Sequence, residues 1–438
     1  MADIETRTLS KVFWRLIPFM IFLYLLNYLD RVNISIAKLQ MNAALKISET
    51  VFSTAVSAFY IGYCIFEIPS NLIMERVGAR IWIARIMISW GLISAAMMFI
   101  QGPWSYYGAR LLLGAAEAGF FPGMILYISY WIPQRQRAQA SAWFLTSTAL
   151  SGVIGMPLAG QIMKLNGSCN LQGWQWLFLI EGSFTVLVGI VVLWYLTDKP
   201  ANAHWLDEEE RAWLVDHLRR EQAQVAAHDH HNIWPAFKDK KVWMLTYVYA
   251  TILLSFYGII YWTPTIIKQV TGIQADATIG ELSAIPFVAA AVGMVLVGRS
   301  SDRSGERTRH TAFSCLAGVL GLVVACYFTS SVVLTIAGLS LAAAGTFATL
   351  GPFWAMPSSF LRGTAAAAGI AVINSVGNLG GGFIGPLVMG SLKDYTQTYV
   401  LGLSFYAAVL LSGFCVALSI GRSYDSPRPA AMPEPLSA

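Results

Sequence analysis

Apolar residues fall in twelve long runs along this chain, each about the length needed to cross a bilayer as a helix, with short polar stretches between them. A spanning helix needs roughly 20 mostly apolar residues, and the pattern predicts spans near 12–37, 51–74, 81–101, 105–131, 139–163, 174–196, 242–267, 279–300, 309–329, 331–355, 362–391 and 398–421. The stretch from Met1 to Lys11 is short and polar, and the first run is long and carries charge inside it. It therefore reads as a retained first helix, not as a cleaved leader.

Composition agrees with a membrane solvent. Of 438 residues, 56% are hydrophobic and 12% charged, against about 25% charged in soluble domains. The five cysteines are odd in number and scattered, as expected of small packing residues and not of a disulfide framework. Most Lys and Arg fall on the side of the twelve spans that bears both termini and the central loop. Only Lys38, Lys46, Lys164, Lys268 and Lys393 fall on the other, so the positive-inside rule places the termini in the cytoplasm.

Residues 197–241 form the one long polar stretch and divide the chain into a bundle over 1–196, a linker, and a second bundle with tail over 242–438. In the linker, Leu206, Trp213, Leu214 and Leu218 recur at helical spacing, with acids ahead of them and Arg219-Arg220 behind. This predicts a surface helix lying against the bundle. The following His228-Asp229-His230-His231 lacks cysteine partners and helical spacing, so it reads as a solvated loop and not a metal site.

The halves repeat one another. Glu75-Arg76-x-Gly78-x-Arg80 follows the second span, and Asp302-Arg303-x-Gly305-x-Arg307 follows the eighth. Pro157 and Pro386 correspond in the fifth span of each half. An acid and guanidiniums at helix ends can clamp neighbouring helices through charge-assisted hydrogen bonds that break and re-form during motion. The glycine-rich stretch 377–386 lacks the Lys-Ser/Thr ending of a phosphate loop and reads as a place where helices approach closely.

Charge inside the spans carries the candidate chemistry. Asp30 and Arg31 lie in the first span, Arg110 and Glu117 in the fourth. Holding an ionised side chain at mid-membrane costs about 2.5 kcal/mol or more, so such residues commonly mark a path for a proton, ion or charged solute. Arg110 and Glu117 are two helical turns apart on one face, about 10 Å along the axis. Asp30 and Arg31 diverge by about 100°, so at most one faces a given spot squarely. The four charges balance. Burial and a neighbouring guanidinium act in opposite senses on a carboxyl, and their balance can bring it into the physiological range of titration. Protonating one acid would leave a guanidinium free to take a carboxylate.

The duplicated acid-Arg-x-Gly-x-Arg loop, the twelve spans and the long central loop resemble the major facilitator superfamily. NYLDRVNIS, FYIGYCIFEIPSN and GARLLLGAAEAGFFPG resemble its anion:cation symporter branch. The first loop departs from the family pattern in having Asn71 where glycine is usual and Glu75 in place of Asp. The resemblance implies an all-α membrane fold of two pseudo-symmetric six-helix bundles. It also implies that Asp30 and Glu117 carry coupling protons, that Arg31 anchors the anion, that Arg110 pairs with Glu117, and that Tyr63 and Tyr60 face the same cavity.

Neutral contacts are expected from Tyr257, Tyr261, Trp354, Asn374 and Asn378 of the second half. Packing remains an alternative for each aromatic, and interhelical hydrogen bonding for Asn378. The implied activity is proton-coupled import of a small organic carboxylate (a hydroxy-diacid such as tartrate, a sugar acid, or an aromatic acid such as phthalate). It would proceed by alternating access in a bacterial inner membrane, with a monomer sufficing. An organophosphate/phosphate exchanger would favour arginines in both halves, and a cation-exporting drug antiporter would favour acids without arginines. A non-transporting metabolite sensor would need an added partner surface. No nucleophile-base pair, cofactor fingerprint or nucleic-acid patch supports an enzyme or a nucleic-acid partner.

Overall fold

The structure, a computed structural model, describes residues 2–226, 238–357 and 363–421. The His228-Asp229-His230-His231 cluster and the tail beyond 421 lie outside the described residues. Regular structure among the described residues is helical throughout. Twelve helices are long and apolar enough to cross a membrane: Ile4–Leu45, Glu49–Val77, Ala79–Phe99, Pro103–Trp131, Gln134–Leu165, Gly173–Tyr195, Lys240–Thr271, Asp276–Ser304, Thr308–Tyr327, Val332–Ala355, Gly369–Thr396 and Val400–Ile420. They are numbered here as spans one to twelve.

Spans one to six and seven to twelve form two six-helix bundles. The bundles meet where span one packs on seven, span two on eleven, and span five on eight. Small residues allow the last approach: a Cβ on Gly160 would stand 2.9 Å from the Ala277 Cα. At the face opposite the termini, span eleven caps span two. Asp394 Oδ1 accepts from the Glu49 backbone N–H (3.2 Å) and Oδ2 from that of Thr50 (2.7 Å), which satisfies two donors left over at a helix start.

Two spans are interrupted. In span four the α-helix stops at Glu117 and restarts at Phe120. Gly119 there holds φ at +85°, where a side chain is strained and a Cβ would strike Ser70. Span eleven contains a π-helical turn over Leu379–Ile384, within the glycine-rich stretch. Such turns are rare and concentrate at functional positions.

The linker helix runs over Glu208–Ala226, with Leu206, Leu214 and Leu218 buried beneath it. Glu210 anchors it by pairing with Arg7 (2.8 Å) and Lys11 (2.8 Å) at the start of span one. Span one begins earlier and ends later than the hydropathy pattern predicts. Lys38, assigned from sequence to the loop region opposite the termini, is therefore a buried helical residue paired with Glu49 at 2.5 Å.

The duplicated loops differ in their bonding. After span two, the acid that engages the arginine is Asp198, just past span six. Its Oδ1 accepts from the Arg80 backbone N–H at 2.8 Å, and its Oδ2 lies 3.6 Å from Arg80 Nε. Gly78, at φ +100°, leaves room for that carboxylate, since a Cβ would stand 2.8 Å from its Oδ1. Glu75 and Arg76 are exposed. After span eight the pair is internal, Arg307 to Asp302 at 2.5 Å, with Arg303 exposed and Gly305 closing the helix at φ +71°.

Candidate functional site

Asp30 and Arg31 follow one another on a helix, and their side chains part as helical geometry demands. Asp30 turns into the first bundle, where its carboxylate accepts from Trp90 Nε1 and from Ser94 Oγ (2.6 Å), both on span three. Arg31 turns toward span four and the second half. Its Nε donates to Glu117 Oε1 at 2.9 Å, and its Nη2 donates to the same oxygen. The guanidinium also lies about 5 Å from the ring centres of Tyr28, Phe59 and Tyr63, the favoured setting for a cation in a dry site.

The partner of Glu117 is thus Arg31, where the family resemblance implies Arg110. Arg110 is wholly buried, and none of its three guanidinium nitrogens has a hydrogen-bond partner in the structure. It stands 4.8 Å from the centre of the Phe59 ring, on the same ring that Arg31 contacts. Glu117 Oε2 is likewise without a partner. A buried guanidinium and a buried carboxylate oxygen, both unsatisfied, are costly.

The cavity beside Arg31 lies between the bundles. It is lined by Tyr28 and Arg31 of span one, Tyr63 of span two, Tyr249 and Tyr257 of span seven, Trp354 of span ten, and Asn374 and Asn378 of span eleven. Its free volume is ≈ 40 Å³. Tyr60 and Tyr261 lie outside this lining and bond to each other across the halves, hydroxyl to hydroxyl at 2.9 Å. Asp30, Arg110 and Glu117 are also set back from the lining.

Two acids within the spans were passed over in the sequence reading. Glu67 lies on span two and Glu181 on span six, both buried. Asn33 donates to Glu181, close to Asp30. With them, four carboxyls and two guanidiniums are buried within spans one to six. A sequence signal for Glu67 existed: Tyr60, Tyr63 and Glu67 fall at i, i+3 and i+7, on one helical face. Glu181 interrupts the apolar run LFLIEGSFTVLV. Among the described residues no group of His, Cys, Asp or Glu is arranged to hold a metal, and the described cysteines are free thiols.

Comparison with known proteins places the geometry in a family. The model of the Major Facilitator Superfamily matches residues 20–386. The chain is 47% identical over 421 residues to a protein of Agrobacterium vitis named "Putative tartrate transporter", covering 96% of this chain and 93% of that one. It is 41% identical over 411 residues to the "Quinolone resistance transporter" of Acinetobacter baumannii, covering 94% of each. In fold it is similar to the crystal structure of a bacterial homolog of the human lysosomal transporter Spinster. The TM-score is 0.74 at 16% identity, over 94% of this chain and 98% of the other. On the family match, the relatives and the twelve-span fold together, this chain is a multi-pass membrane protein that belongs to the Major Facilitator Superfamily.

Proposed function

We propose that the chain is a proton-coupled symporter importing a small organic carboxylate, with tartrate the first solute to try. It would act in a bacterial plasma membrane, with both termini cytoplasmic and the bundles 1–196 and 242–438 rocking about residues 197–241. The observation that carries this reading is the Arg31–Glu117 pair at the edge of the inter-bundle cavity, with Arg110 unpaired behind it.

While Glu117 is ionised, it occupies the Arg31 fork. Protonated, it can no longer neutralise the guanidinium, and Arg31 is free to form a bidentate pair with a carboxylate from the cavity. Proton and anion then load together, and a monocarboxylate with one proton, or a dicarboxylate such as tartrate with two, leaves the site with the net charge it has when empty. That equality is what allows both states to cross between facings without a large electrostatic penalty. Asp30, with its oxygens held by Trp90 and Ser94, is the second proton site in this reading. Tyr63, Tyr257, Trp354, Asn374 and Asn378 grip the rest of the solute, while Tyr60 and Tyr261 join the halves beside it. Tartrate as solute is supported by the names of the Agrobacterium vitis relatives.

The test is uptake of labelled tartrate into proteoliposomes under an imposed inward proton gradient, with a labelled quinolone as the second solute. Gradient-stimulated accumulation of tartrate supports symport. Gradient-driven movement of the quinolone, with none of tartrate, replaces it with a drug antiporter.

A further inference from the structure

Glu67 is a buried carboxyl that the Arg31–Glu117 pair, the Asp394 cap and the duplicated loops leave unused. It lies on span two, one turn beyond Tyr63, and is 5% exposed. Both its oxygens accept from the opposite bundle: Oε1 from Asn374 Nδ2 at 2.9 Å and Oε2 from Ser375 Oγ at 3.2 Å. From Asn374 the bonding continues along span eleven and on to span seven. Asn378 Nδ2 donates to Asn374 Oδ1 (3.1 Å) and to its carbonyl (2.9 Å), and the Tyr257 hydroxyl donates to Asn378 Oδ1 (3.0 Å).

Every donor along this relay is turned toward Glu67. An ionised carboxylate can only accept, and its charge strengthens each bond aimed at it, so it imposes this polarity on the amides behind it. The consequence falls on the cavity, because Tyr257, Asn374 and Asn378 all line it opposite Arg31. With its hydrogen given to Asn378, Tyr257 offers the cavity only oxygen lone pairs, which repel a carboxylate. A proton on Glu67 makes that group a donor. The two amides can then turn over, and the Tyr257 hydroxyl becomes free to donate to an anion.

We propose that Glu67 is a positioning residue for the solute, whose ionisation sets, through Asn374, Asn378 and Tyr257, whether the second bundle presents acceptors or donors to a carboxylate held at Arg31. This rests on the carboxylate reading above and adds to it a third proton-linked acid that bridges the bundles. The titratable groups facing Glu67 are Arg31 from span one (itself paired with Glu117 of span four), Tyr63 and Cys64 from its own helix, and Tyr249 from span seven. The facing stretch of span eleven carries none. On span three, Arg80 and Arg85 are engaged with Asp198 and Trp82. Through the relay, proton binding at Glu67 and anion binding at Arg31 favour each other, and that linkage is reciprocal.

Two measurements on the full chain test this. The first needs no solute: infrared difference spectra of the purified protein between about pH 5 and pH 9, a window wide enough to contain a perturbed carboxyl. The expected result is a carboxyl band lost in Glu67→Gln, with an accompanying tyrosine ring band lost in both Glu67→Gln and Tyr257→Phe. A wild-type spectrum unchanged by Glu67→Gln, or a tyrosine change surviving in Tyr257→Phe, overturns the relay.

The second is counterflow of labelled tartrate, with no gradient imposed, as a function of pH. In the wild type log KM climbs with pH, and in Glu67→Gln the slope falls by about one per pH unit, the tenfold that one linked proton supplies. Glu67→Asp restores the slope, and Ser375→Ala, which cuts the other bond of Glu67, leaves it unchanged. Slower counterflow at every pH with an unaltered slope makes Glu67 a brace between helices and overturns the proposal. If the wild type does not exchange tartrate at all, the carboxylate reading fails, while the infrared result still decides whether Glu67 governs Tyr257.

Discussion

The adjacent Asp30 and Arg31 serve different neighbourhoods, and their substitutions separate accordingly. Asp30 accepts from an indole N–H and a hydroxyl inside the first bundle. Replacing it by Asn sets an amide donor against one of these groups, and leaving a buried donor unmatched costs about 1–3 kcal/mol. Asp30→Asn should therefore lower the melting temperature of the purified protein clearly more than Glu117→Gln does, with Trp90→Phe in the same chain recovering part of the loss. Equal melting temperatures would contradict the bonding assigned to Asp30. Asp30, Arg31, Arg110 and Glu117 were legible in the sequence because a charge in an apolar run is conspicuous. Which arginine holds Glu117 was not, because two helices from distant parts of the sequence must be docked before Arg31 and Glu117 can be seen to meet. Glu67 was passed over although it lies inside the predicted span 51–74, because its partners Asn374 and Ser375 belong to the other half and no local pattern shows them.

Breaks and caps act at the scale of elements. Gly119 lets span four stop directly after Glu117. Gly119→Ala must hold a left-handed conformation, at about 1–2 kcal/mol, and must also push against Ser70. It should lower both melting temperature and transport, and an unaffected variant would show that the break is not required. The linker helix is secured by Glu210. Burial disfavours its ionised form, but the Lys11 hydrogen bond, the Asp207 backbone N–H and the Lys11 charge outweigh that and hold its pKa below the ordinary glutamate value. A carboxyl lowered on folding stabilises the folded form above its unfolded pKa, and that contribution fades as pH falls through the folded value. Proteolysis within 208–226 should therefore quicken on acidification below about pH 4.5, and Glu210→Gln should show faster cleavage already at neutral pH. Identical cleavage in the two proteins would remove Glu210 as the anchor. The amphipathic spacing announced this helix, but its tie to span one depends on a contact between residues some 200 positions apart in the sequence (196–199), which periodicity cannot reveal.

Across the whole molecule, twelve spans and two six-helix halves were readable from run length and the repeated loop, because the bilayer fixes helix length and the duplication leaves its spacing behind. The bonds that tie the halves together were not readable. Asp394 on the start of span two and Tyr60 against Tyr261 join separate bundles, and no local pattern encodes such pairings. If the Asp394 cap holds that face closed, Asp394→Ala removes about 1 kcal/mol from the closed arrangement. Maleimide labelling of a cysteine placed at Ser53, which packs against Gly390, should then rise several-fold, and unchanged labelling would mean that the cap does not control closure. The central claim is that Glu117 carries the coupling proton and gates Arg31. Its most direct test compares wild type with Glu117→Gln for labelled tartrate in proteoliposomes, under an inward proton gradient and in gradient-free counterflow. The account predicts that the variant loses gradient-driven accumulation and keeps counterflow, since a neutral side chain leaves Arg31 available but cannot move a proton. Accumulation by Glu117→Gln at the wild-type level would contradict it.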